Sequence, residues 1–442
     1  MLAWRVVGVV ALFLADGPSG RAQTYPLAED LKEGDCFRIQ LDMKLSGEIR
    51  IPKDGQALAL KLAAGATHVF PERVLAVGEG KVAEKTVRVY ETAKSIITRD
   101  SQRSEATLRP DRRLIIAQRY KDQPLVYCPA GALFRSELEL TSEHFDTLFV
   151  TGVLPGKAVA VGDTWKVPSA IVQALCLYEG VTEQDLTAKL EEVKEQLAVF
   201  SIAGTAAGID QGALVKSKIQ ASGRFDLAAK RLVALEWKQS DERDQGPVSP
   251  VSAIETTYAL KRQQIDRPAA LADDVLKAVP AGFQPPERMT YLDYRDPKDR
   301  FSLLHPREWQ LVAQTDQHTV LRLMDHGDFV AQVTLSPWES APKGKHMTPD
   351  EFRKAMKATP GWEPEKEIQA GEIPMSEGLW AYRLSVLGQM DGVAVLQNFY
   401  LVAAPGGEQL VLTFTLTPKQ IDKLGSRDLS LVGSVELPAA KK

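Results

Sequence analysis

The amino-acid sequence predicts an α+β protein whose first part is mainly antiparallel β and whose second part alternates strands with helices. Three observations predict it. Apolar residues recur at every second position between Gly, Asp and Pro punctuation over residues 23–262. Prolines then cluster at 268, 280, 285 and 286 and break regular structure. Beyond them, strand-like runs alternate with well-signalled helix starts.

The chain opens with Arg5, an apolar run from Val6 to Ala15 and a small-residue exit at Gly20-Arg21-Ala22. A positive start and an apolar run of about ten residues form an export signal, too short to span a bilayer of about 30 Å. Cleavage is expected after Ala22, which sends a mature chain without a transmembrane helix to the periplasm or the extracellular space. No cysteine follows the run, which closes the lipoprotein route. The signal carries Arg5, Arg21 and Asp16, so the formal charge of −4 becomes about −5 on its removal. No run of Lys and Arg exceeds a pair, and the basic stripe that nucleic-acid binding demands is missing.

Domains are expected at 23–265 (β-rich) and 290–438 (α+β), joined by a Pro-containing linker at 266–289. In the first, residues 37, 39, 41, 43 and 45 share one face of a half-buried strand, and a second strand centres on Leu114, Ile115 and Ile116. Ser136 is placed to cap a helix carrying Leu138, Leu140, Phe145, Leu148 and Phe149, and Ser169 to cap the apolar helix that holds Cys176. The stretch 183–197 fits a helix or a strand, with a hairpin preferred. Residues 197–262 read as long antiparallel strands with Leu227, Leu232, Leu235 and Trp237 in the core. Ala269 to Val279 reads as a short helix.

In the second domain, Phe301 to Trp309 is a strand that breaks at Pro306 and delivers Trp309 to the core. Strands follow at 319–324 and 329–337. Thr348-Pro349-Asp350-Glu351 carries a capping residue, Pro at the first helical position and Glu at the third. Strands at 379–388, 393–403 and 408–416 precede a final helical segment opened by Thr417-Pro418.

Phe301, Pro306, Trp309, the capped helix with Phe352, Trp380, Ala381, Tyr382, Gln397, Tyr400, Leu410, Leu412 and Phe414 occur in an order that resembles the PsbP-like superfamily. That superfamily includes extrinsic photosystem II subunits, a nuclear import factor that binds the Ran GTPase, and exported bacterial proteins. The resemblance implies an α/β/α sandwich over 290–438, binding of macromolecules and no common enzymatic activity. No functional residue carries over. The Val161-Gly162-Asp163-Thr164-Trp165 string after a proline turn is similar to a family of uncharacterised exported bacterial proteins. Read from its residues, it is a tight turn that drives Trp165 into the core.

The residues predict no catalytic, cofactor-binding or metal-binding site. Asp241 to Pro247 reads as a solvated loop, because an EF-hand needs oxygen ligands where Arg243 and Ser252 stand. Asp325-His326-Gly327-Asp328 reads as a hairpin turn, and His68, His144, His305, His318 and His346 stand alone. Gly-x-Ser-x-Gly, His-Glu-x-x-His, Gly-x-x-x-x-Gly-Lys-Ser/Thr and Gly-x-Gly-x-x-Gly are all missing. Cys36, Cys128 and Cys176 allow one disulfide, with Cys36–Cys128 the preferred pair and Cys176 a buried thiol. The expected function is an exported, non-catalytic protein that binds a protein or envelope component, with Trp338 and Trp362 as candidate contacts. The alternatives are a lipid or small-ligand carrier built on the β-rich domain and a hydrolase whose site is scattered in sequence.

Overall fold

The computed structural model describes residues 23–438 except 54–55, 121–122, 143–144, 211, 248, 326 and 376–377. The export signal at 1–22, His144 and His326 thus lie outside the described residues.

Alternation of apolar and polar side chains dictates the first part. On β2 (Cys36–Lys53), Phe37, Ile39, Leu41 and Met43 are buried while Arg38 and Lys44 are exposed. After β1 (Thr24–Pro26) and β2 come β3 (Gln56–Val77), β4 (Ala83–Val89), β5 (Thr92–Arg99), β6 (Gln102–Thr107), β7 (Leu114–Tyr120) and β8 (Gln123–Tyr127). Then β9 (Leu133–Phe134), α1 (Arg135–Ser142), β10 (Ala158–Ala160), β11 (Thr164–Lys166) and α2 (Ser169–Cys176) follow. β12 (Gly180–Gln184), β13 (Thr187–Lys194), β14 (Leu197–Asp210), β15 (Ala213–Asp226), β16 (Arg231–Arg243) and β17 (Val251–Gln264) complete this part.

Fourteen of these strands form one antiparallel sheet, in the order β11-β13-β14-β15-β16-β17-β2-β3-β4-β7-β8 with β12 beside β14. The length of β3 forks the sheet: Glu72 to Val77 pairs with β4, whereas Leu62 to Val69 pairs with β5, which pairs with β6. One face is covered by α1, the 3-10 turn Thr147–Val153 and α2, whose Leu138, Leu148, Val153, Val172 and Leu175 join Phe37, Phe70, Phe200 and Trp237 in one core. Gly223 is required there, because a β-carbon on it would collide with the Phe200 ring.

The second part comprises β18 (Leu292–Arg295), β19 (Ser302–His305), β20 (Trp309–Gln314), β21 (Thr319–Asp325), β22 (Asp328–Trp338), α3 (Pro349–Lys357) and β23 (Trp362–Ile373). β24 (Trp380–Met390), β25 (Val393–Ala403), β26 (Gln409–Leu416), α4 (Ile421–Leu424), α5 (Arg427–Val432) and β27 (Val435–Glu436) end it. Its seven-stranded antiparallel sheet runs β20-β21-β22-β26-β25-β24-β23. Adjacent residues on β25 face opposite ways: Phe399 joins Phe352 of α3, and Tyr400 joins Leu431 of α5. The two parts meet where β9 pairs in parallel with β18.

The expected α+β class, with its α/β/α sandwich, is overturned. Strands make up 56% of the described residues and helix, 3-10 turns included, 15%, because the helix-start signals open only short segments while the strand runs extend to 22 residues. The helix expected from Ser136 to Phe149 is broken: α1 ends at Ser142 and a 3-10 turn begins at Thr147. Ser136 lies inside α1, and it is Glu137 whose carboxylate accepts from the Phe134 amide at 2.9 Å. Ser169 starts α2 without a side-chain cap. Trp362 opens a strand that went unrecognised, because β23 is exposed over most of its length. Ala269 to Val279 forms two 3-10 turns rather than a helix.

Other expectations match. Thr348 and Glu351 form the capping box in full, 183–197 is strand rather than helix, with β13 turning after Lys194 into a hairpin with β14, and Trp309 is buried. Residues 266–289 lie along the second face of the first sheet. There Leu271 joins Val87, Ile116 and Tyr127, and Lys85 donates to the Pro280 and Gly282 carbonyls. Ile115 and Ile116 are both apolar because both faces of β7 are covered at that point.

Candidate ligand cavity

Strands β17, β2, β3 and β5 run beyond the helices that cover the core, and their inward rows form a cavity of about 390 Å³. Register places its wall in rungs. Leu41, His68 and Ala93 lie on one rung; Tyr258, Met43, Ala66 and Ser95 on the next; then Thr256, Leu45, Ala64 and Ile97; then Ile254, Gly47, Leu62 and Arg99. From His68 to Arg99 is six residues of β-strand travel, roughly 20 Å. The space exists because small side chains, Ala64, Ala66, Ser95 and Ala106, stand where bulky ones fill the core beyond. Leu140, Ser136 and Glu139 of α1 close one side, and Ser249, Pro250 and Arg243 another.

Few polar atoms reach this apolar space. His68 Nε2 lies 2.9 Å from the Leu140 carbonyl; a carbonyl only accepts, so Nε2 carries the proton and the bond pins α1 to the sheet. The ring is 1% exposed, and its Nδ1 is buried without a partner. Arg243 binds Asp210 through Nη1 at 2.9 Å and the Asp210 carbonyl through Nη2 at 2.9 Å, leaving Nε buried and unpartnered. Such orphaned polar atoms are rare in interiors, and two of them belong to residues lining one cavity. Glu139 is paired with Arg135 at 2.9 Å. A wider cleft of about 670 Å³ shares Arg99, Ser136 and Glu139 with the cavity and continues to Arg135, Asp293, Arg295 and His305.

A second polar group continues the same rungs on β16, where Trp237, Gln239 and Asp241 stand opposite Tyr258, Thr256 and Ile254. Trp237 Nε1 donates to Gln239 at 2.9 Å, and Gln239 donates to Asp241 at 2.9 Å. Ser217 donates to Asp241 and bonds Tyr178. Burial raises the Asp241 carboxyl and the Tyr178 phenol above their usual ranges. Tyr178, Ser217 and Asp241 line neither cleft and include no imidazole; their geometry fits a core network. Asp241 is therefore not in a loop: β16 extends through Arg243, and only 244–250 connects the strands.

The remaining residues of interest are dispersed. All three cysteines are free. Cys36 and Cys128, at 3% and 0% exposure, are more buried than Cys176, which is half-buried, contrary to expectation. Gly162, at φ +95°, and Asp163, which accepts from the Ala160 amide at 2.8 Å, form the turn that sends Trp165 inward, where its Nε1 meets the Val153 carbonyl at 2.8 Å. Asp325 and Asp328 flank a hairpin turn. His346 stacks on Trp380 at 3.6 Å. Burial lowers His305 to about 4. Among the described residues no cluster of three or more His, Cys, Asp or Glu is arranged to hold a metal, and no helix is long and apolar enough to cross a membrane.

The sequence reading passed over His68 as a lone histidine. The signal that points to the cavity is the Ala63-Ala64-Gly65-Ala66 run inside a strand, where bulky residues are the rule.

Comparison with protein-family models finds no match, and comparison with curated proteins finds none. Among solved structures, the chain is similar to cyanobacterial PsbP from Synechocystis sp. PCC 6803, at 16% identity over 36% of this chain and 98% of that one, with a TM-score of 0.27. It is also similar to the Ran-binding protein Mog1p of Saccharomyces cerevisiae, at 9% identity over 33% of this chain and 95% of that one, TM-score 0.26. A third likeness is to lipovitellin, at 9% identity over 54% of this chain and 26% of that one, TM-score 0.28. Likenesses this weak carry no argument about family or function.

Proposed function

We propose that this is a non-catalytic carrier that holds the apolar chain of a small ligand in the cavity of the first sheet. One observation carries the reading: four adjacent strands present a continuous inward patch of small and aliphatic side chains that α1 borders without filling. A volume of about 390 Å³ lies within the range of about 300–1,000 Å³ usual for ligand sites. Each methylene removed from water contributes about 0.8 kcal/mol, so a chain burying about ten gains about 8 kcal/mol before the cost of association. The export read from Arg5 to Ala22 belongs to the same proposal and places the carrier outside the cytosol. Trp338 and Trp362 offer no contact surface for a protein or envelope component, since Trp362 is 5% exposed and Trp338 is partly buried against the same cluster.

Native mass spectrometry of the protein purified from its source, with increasing detergent, tests the proposal. A mass excess that detergent strips and that extracts into organic solvent is the expected result. A clean apo mass, together with no displacement of a bound apolar dye by fatty acids, alcohols or acylglycerols, sinks it.

A further inference from the structure

The cavity has two unlike ends, and their difference specifies the ligand further. At the inner end, the Nε2–H of His68 is engaged by the Leu140 carbonyl, and Nδ1 is buried without a partner. At the outer end stands Arg99, the last residue of β5, opposite Leu62. Among the described residues no ion pair engages Arg99, which is exposed; the adjacent Asp100 accepts from the Lys61 amide at 2.9 Å, and the carboxylates that line the two clefts are already paired. Glu139 pairs with Arg135 at 2.9 Å. Asp293 lies 3.4 Å from Arg295 and 3.8 Å from Arg109. Asp210 is held by Arg243, which lines the cavity. The outer end therefore carries a guanidinium without an ion pair, at the boundary between an apolar cavity and the wider, wetter cleft that shares Arg99.

On the carrier reading, on which this inference rests, we infer that the ligand is an amphiphile with an anionic head, its chain lying toward His68 and its carboxylate or phosphate held by Arg99. The guanidinium suits both head groups, because its donors match two oxygens of either. The adjoining cleft of about 670 Å³ leaves room for a head larger than a carboxylate. Burying the chain brings the head to the one place where charge is complementary, so the same geometry fixes the direction of entry.

Titrating the full-length protein with dodecanoic acid, dodecan-1-ol, dodecyl phosphate and inorganic phosphate, each also against Arg99→Gln, tests the inference. The acid and the phosphate ester should bind about tenfold more tightly than the alcohol, with a gap that narrows as salt rises. Arg99→Gln should close the gap and leave the alcohol's affinity unchanged. Whichever of the two charged ligands binds tighter tells a fatty acid from a phospholipid-type head. Equal binding of alcohol and acid, a gap that survives Arg99→Gln, or tight binding of inorganic phosphate alone would overturn the anionic-head assignment while the carrier reading stands. Failure of all three chain-bearing ligands to bind would instead remove the carrier reading itself.

Discussion

An Ala64→Leu substitution adds three carbons to the middle rung of the cavity, between Leu45 on β2 and Ile97 on β5. If that rung borders open space, the new side chain extends into it without displacing a neighbour. Folding stability then stays level or rises, because apolar wall is covered. If the rung were packed, the same carbons would overpack it at a cost of about 1–3 kcal/mol. For the ligand the signs reverse. Giving up room for about three methylenes at about 0.8 kcal/mol each loses about 2.4 kcal/mol, roughly a 60-fold rise in Kd. The assay pairs urea unfolding followed by tryptophan fluorescence with displacement of an apolar dye by fatty acids of increasing length. In the unmodified protein, each added methylene should tighten binding about fourfold until the cavity is full. In Ala64→Leu the plateau should come about three carbons earlier. A loss of stability of several kcal/mol with unchanged chain-length dependence would refute the cavity.

His305, 3% exposed and pushed down to about 4, is neutral when folded but titrates near 6.5 when unfolded. The unfolded chain thus binds the extra proton, and stability should fall by up to about 3 kcal/mol as pH drops from 6.5 toward 4. Urea unfolding at several pH values should show that slope flattened in His305→Gln. Asp241 has the opposite sign, since burial raises its carboxyl above 3.8. The folded chain holds the proton longer, so this residue's contribution weakens stability as pH rises above 3.8 through its folded value, and Asp241→Asn should raise the melting temperature at pH 7; a lower one would show that the charge is needed. Thr348→Ala removes the capping box and should cost about 1 kcal/mol in the same unfolding assay.

Much of the architecture was legible because it is local. Thr348, Pro349 and Glu351 specify a helix start through groups three residues apart, and alternation along Phe37 to Leu45 fixes which face of β2 is buried. Gly162 and Asp163 announce the turn that buries Trp165. Where local signals conflicted with tertiary pairing, the sequence misled: β23 carries Pro364 and four glutamates, yet it pairs with β24 along its length. Ser136 lies inside a short helix it does not cap, and Thr417 opens only a 3-10 turn, so the α+β class these signals suggested gave way to a mostly β structure.

The sequence by itself determined that alternating side chains would build an antiparallel sheet in each part of the chain. Only the tertiary structure decided that Ala64, His68, Ile97, Arg99, Arg243 and Ile254 border one space. The reason is register: strand pairing sets β17 beside β2, though 207 residues separate Ile254 from Gly47, and it forks β3 toward β5. A cavity is a property of what neighbouring strands fail to fill together, and no single strand encodes that.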